Sequence, residues 1–140
     1  MTVRTKKQMN ASSPQKHYRI FISYSTKDSE QARRFLQYFE SLPEAEVFLS
    51  ETKLLPGQQI TPTILNALKQ SDMVLVLWSK NAAESQYVQQ EIGVAKGADK
   101  FIVPIILDGT KPGAMLEGTY YLSYHKEEKR QEEFDRLVRH

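Results

Sequence analysis

The segment MVLVLW at residues 73–78 constrains this chain more than any other. Its apolar run is far below the roughly 20 residues that a membrane-spanning helix needs, and FIVPIIL at 101–107 is equally short. Neither shows the polar alternation of a strand with one wet face. A run of this kind is expected of a strand covered on both faces, which is the condition of a parallel sheet. Pro104 cannot donate to a ladder and counts against the 101–107 strand being central.

The remaining pattern supplies the covering helices. YRIFISYS at 18–25 reads as a first strand that ends in small polar residues. Ala32, Phe35, Leu36 and Phe39 then share one helical face from about Asp28, and Pro43 marks that helix's end. EVFLS at 46–50 is a second strand. ETKLLPGQQ at 51–59 is a loop punctuated by Pro56-Gly57. Thr61 as N-cap with Pro62 at the first helical position opens a second helix, whose inner face is Ile64, Leu65 and Leu68.

After the strand at 73–79, Asn81 and Glu84 match a capping box and predict a third helix running to Gly97. YYLSY at 120–124 is a candidate edge strand, and KEEKRQEEFDRLVRH a final helix with Phe134, Leu137 and Val138 inward. Alternating strands and helices specify an α/β, flavodoxin-like, three-layer fold with a five-stranded, mainly parallel sheet of order 2-1-3-4-5 and helices on both faces.

The chain's 140 residues suffice for one domain, and 40% hydrophobic with 26% charged residues is a globular balance. We expect a flexible basic tail over 1–16 and the domain over 17–140. The net charge of +2 owes much to Arg4, Lys6, Lys7 and Lys16 in that tail, so no basic face for nucleic acid is expected. With no cysteine, and with His17, His125 and His140 at the domain edges, no metal site is expected and a reducing, cytoplasmic setting is. No membrane span and no secretory signal is read in it.

In such a sheet a ligand binds at the carboxyl ends of the strands where the order reverses, between strands one and three. That rule selects Ser23, Tyr24 and Ser25, then Ser79, Lys80 and Asn81, and the helix that follows. On that helix Tyr87 and Glu91 are four apart and share a face, beside an apolar face of Val88, Ile92 and Ala95. Glu91 is therefore able to border the crevice, although a helical glutamate is more often simply solvated. No GxGxxG or P-loop occurs. Lys27, Lys53 and Lys80 are candidate pyrophosphate contacts, each more readily read as a solvated side chain.

YRIFISYSTKD at 18–28, LLPG at 54–57 and VLVLWSKNAAESQYVQQEI at 74–92 together resemble the Toll/interleukin-1 receptor (TIR) domains, and their bacterial members most, over residues 18 to about 137. The resemblance implies a cleaver of NAD, taken as substrate rather than cofactor, with Glu91 the catalytic carboxylate. Substrate contacts would come from Ser23, Ser25, Lys80, Tyr87 and Glu51. Tyr87 stands where the family usually has Trp, and Glu51 is offset from the acidic position the family often carries after strand two.

It further implies self-association through a loop containing Leu55, Pro56 and Gly57, with filaments as the outcome of head-to-tail contact. A separate sensor or effector protein and a role in bacterial antiphage or cell-death signalling belong to the same implication. Two rivals stand beside it: a non-enzymatic adaptor acting through TIR–TIR contact, and a nucleoside-handling enzyme such as a deoxyribosyltransferase.

Overall fold

A computed structural model describes residues 18–50, 60–119 and 121–124 of the chain. The expected tail, the 51–59 loop with Glu51, Leu55, Pro56 and Gly57, and the expected final helix lie outside the described residues. Strand β1 is Tyr18–Ser23, helix α1 Ser29–Glu40 and strand β2 Ala45–Leu49. Helix α2 is Pro62–Gln70, strand β3 Met73–Trp78, helix α3 Lys80–Ala83 and helix α4 Gln86–Gly97. Strand β4, Phe101–Ile106, and strand β5, Leu122–Ser123, complete the sheet. Its order is β2-β1-β3-β4-β5 and all four pairings are parallel, so the α/β fold and strand order expected from the sequence are those observed.

Alternate residues of each strand feed two cores. Ile20, Ile22, Val47, Leu75 and Leu77 pack with Ala32, Phe35 and Phe39 of α1 on one face. Phe21, Val74, Val76 and Trp78 pack with α2 and α4 on the other. All six residues of β3 are buried, which is why the sequence shows no alternation there. The face of α1 read from spacing, Ala32, Phe35, Leu36 and Phe39, is its buried set.

Three local expectations are corrected. Helix α2 carries the expected Thr61 cap and Pro62, but Leu65 is only half-buried, because Ile64 and Leu68 form the ridge that meets the sheet and Leu65 sits beside it. Tyr24 does not line the crevice. It shares the side of β1 with Ile20 and Ile22 by the two-residue period and is buried in the α1 core. The single third helix is two: Ser79 caps α3 and Ser85 caps α4, each hydroxyl accepting from the backbone N–H three residues on. Asn81 does not cap, since its amide donates to Asp28, 53 residues away.

Pro104 sits within β4, with β3 on one side and β5 on the other. The Leu107 N–H reaches Trp78 on β3, whereas the Ile106 carbonyl accepts from Tyr124 on the far side. Backbone groups alternate sides along a strand, so the nitrogen of Pro104 faces away from β3, like that of Ile106. The β5 pairing begins only at Ile105. The missing donor thus falls where, among the described residues, no acceptor waits.

Candidate functional site

Four of the strands run out into serine, and three of those serines are buried. Ser23 ends β1, Ser50 follows β2 and Ser79 follows β3, with exposures of 0%, 0% and 2%, whereas Ser123 at the end of β5 is half-buried. The three buried hydroxyls organise two separate polar networks at the carboxyl end of the sheet.

The first is built on Glu91, in the middle of α4. Val88, Ile92 and Ala95 seat this helix on the second core, and that seating turns Glu91 inward until it is 0% exposed. The Ser23 hydroxyl donates to Oε1 at 2.5 Å and the Ser50 hydroxyl to Oε2 at 2.6 Å. The Tyr87 hydroxyl, one helical turn back, hydrogen-bonds the Ser50 Oγ and lies within hydrogen-bonding reach of the carboxylate as well. A buried carboxylate is disfavoured in its charged form, and burial pushes Glu91 up to about 7 from its ordinary 4.5. The hydrogen bonds from Ser23, Ser50 and Tyr87 work in the opposite direction. The site thus holds a carboxyl group near the point of half-ionisation at neutral pH, surrounded by hydroxyl donors.

The second network joins the loop after β1 to the exit of β3. Asp28, 6% exposed, accepts from the Ser79 hydroxyl at 2.5 Å and from the Asn81 amide at 2.9 Å. Ser79 at the same time accepts from Ala82 N–H at 3.0 Å, so one hydroxyl caps α3 and ties it to Asp28. The Ser25 side chain accepts from Lys27 N–H at 3.3 Å and caps a 3-10 turn at Thr26–Asp28.

The structure therefore brings Ser23, Tyr87 and Glu91 together and keeps other sequence candidates apart from them. Ser25 serves as a cap. Lys80 is exposed, and its backbone N–H donates to Asp108 Oδ2 at 3.0 Å. Lys27 is exposed on the 3-10 turn. Glu91 faces the ends of β1 and β2, while the gap between the ends of β1 and β3 is spanned by Asp28, Ser79 and Asn81. Ser50 was not among the sequence candidates, although it contacts both Glu91 and Tyr87. A signal lies in its position: like Ser23 and Ser79, it follows directly on a strand's last apolar residue.

A family model described as TIR domain matches residues 20–138. A protein of Brachypodium distachyon named "Probable 2' cyclic ADP-D-ribose synthase BdTIR" is 26% identical over 101 residues, which is 71% of this chain and 44% of that protein's length. This chain thus spans less than half of that relative. Among solved structures, the TIR domain of the Toll-related receptor TRR-2 from Hydra magnipapillata superposes with a TM-score of 0.70 at 19% identity, covering 86% of this chain and 94% of the other. The Clostridium botulinum CMP N-glycosidase BcmB superposes with a TM-score of 0.60 at 17% identity, covering 84% and 98%. At such identities these two speak to the fold alone.

Proposed function

The chain belongs to the TIR domain family, and from that premise we propose that it cleaves the bond between nicotinamide and ribose in NAD, with Glu91 as the catalytic carboxylate. The observation that carries the reading is a buried carboxyl group ringed by Ser23, Ser50 and Tyr87 at the carboxyl ends of the strands. The sequence likeness to a probable cyclic ADP-ribose synthase supports it.

The chemistry suits one carboxylate. Nicotinamide leaves as a neutral molecule from a pyridinium that already carries positive charge, so no acid is needed to protonate it. Positive charge develops on the ribose instead, and an anion fixed in a buried setting stabilises that charge more than the ground state. Glycosidases that expel an alkoxide-like oxygen need a second carboxyl group as acid. Water attacking the anomeric carbon gives ADP-ribose and a proton. Attack by a hydroxyl of the same molecule gives a cyclic product.

Because Glu91 is fully buried, substrate must displace whatever covers it. We assign Tyr87 and Ser23 to the wall of the ribose site, with Ser25, Lys80 and Glu51 as candidate contacts for the rest of the dinucleotide. Self-association through the loop containing Leu55, Pro56 and Gly57 would supply the opening force. A cytoplasmic defence role with a separate sensor or effector follows on the same reading.

The completeness of the hydroxyl ring favours a second reading. Glu91 would then be a structural pin joining α4 to β1 and β2 in a non-enzymatic adaptor. Incubating concentrated, crowded protein with NAD and separating the products decides between them. Nicotinamide release that is abolished in Glu91→Gln is expected. No release from wild type under crowding, or equal release from both proteins, would overturn the enzymatic reading.

A further inference from the structure

Each oxygen of Glu91 is taken by a serine, and the two serines differ in what else holds them. The Ser23 hydroxyl donates to Oε1 at the end of β1. The Ser50 hydroxyl donates to Oε2 and also meets the Tyr87 hydroxyl. The backbone of Ser50 stays in the sheet, with its N–H on the Ile22 carbonyl at 3.2 Å. Freeing Oε2 therefore requires rotation of one small side chain rather than displacement of a strand. A buried hydroxyl that loses its acceptor is costly unless another partner stands ready, and for Ser50 that partner is Tyr87.

We propose that Ser50 is a latch on this site: its side chain holds Oε2 when the site is empty and turns onto Tyr87 to yield that oxygen to a ribose hydroxyl of the substrate, while Ser23 keeps Oε1. The proposal rests on the reading of Glu91 as the group that meets the ribose. It makes Ser50 a positioning residue and Oε2 the oxygen that faces substrate. It also gives Tyr87 a task that its ring alone does not perform.

The latch and a merely structural hydroxyl predict opposite changes. Removing Ser50's hydroxyl removes the competitor for Oε2, so Ser50→Ala should lower KM for NAD about fivefold, equivalent to roughly 1 kcal/mol. Tyr87→Phe takes away the alternative partner and should raise KM by a similar factor, an effect that should shrink when Ser50 is already alanine to the share owed to Tyr87's own bond to the carboxylate. Ser23→Ala leaves the carboxylate unoriented and should lower kcat instead. A raised KM in Ser50→Ala, or a Tyr87→Phe effect that is undiminished in the double variant, would overturn the latch while leaving nicotinamide release by wild type intact. Should Ser50→Ala fail to fold, Ser50→Cys keeps the side chain's shape with a much weaker donor and should shift KM in the same direction. If wild type releases no nicotinamide, calorimetric titration with ADP-ribose replaces KM: tighter binding by Ser50→Ala supports the latch. Equal, weaker or absent binding rejects it.

Discussion

Glu91 titrates far from where a solvated glutamate would, and this has consequences for both stability and rate. The folded carboxyl keeps its proton up to about pH 7, whereas the unfolded one releases it near 4.5, so between those values the folded state binds more protons. Stability from this group is accordingly full below about pH 4.5 and is lost as pH rises towards 7, by roughly 3 kcal/mol in all. Glu91→Gln, which cannot ionise, should match wild type in thermal midpoint near pH 4.5 and exceed it at pH 8, as pH-dependent denaturation would show. Equal midpoints at pH 8 would mean that the carboxyl is not desolvated. Rate should move the other way: kcat/KM for NAD is expected to rise with pH through a limb near 7, since the ionised form stabilises the ribose cation. At this scale the sequence showed the pair Tyr87 and Glu91 through their spacing of four. It did not single out Ser50, because that serine meets the carboxylate across 41 residues and the signal in its position, a serine directly after a strand, is shared with Ser23 and Ser79.

Elements that recur with a clean period were legible, and the element that breaks its period was not. The stripe of Ala32, Phe35, Leu36 and Phe39 predicts the buried face of α1 because one surface of that helix meets one sheet. Helical spacing runs on across residues 80–97, yet Ser85 starts a new helix and α3 ends at Ala83. The break depends on which of several capping residues is drawn off elsewhere, and Asn81 is drawn off by Asp28. Losing the Ser85 cap should cost about 1 kcal/mol. Ser79→Ala should cost more, since Ser79 also donates to buried Asp28 and its loss leaves that carboxylate short of a partner. Urea denaturation of the two variants tests the order, and a larger loss from Ser85→Ala would contradict it. Because Ser85 opens the helix that carries Tyr87 and Glu91, its alanine variant should also release nicotinamide more slowly than Ser79→Ala does, relative to stability lost.

Across the whole molecule, strand order was readable because connection length and burial leave few parallel topologies to choose from, and the wholly apolar β3 had to be interior. The position of β4 was harder to judge, since Pro104 in a paired strand contradicts a rule that is silent about which side of the strand the proline faces. With its nitrogen turned outward from β3, this residue gives β4 an outer rim with one fewer donor, level with the place where β5 has yet to begin. Pro104 is buried there, so a donor at this position would be shut away from water with no acceptor among the described residues. Pro104→Val, which restores the donor, should keep the native circular-dichroism spectrum while lowering stability in urea denaturation by about 1–3 kcal/mol. A stability equal to that of wild type would show that the restored N–H finds an acceptor.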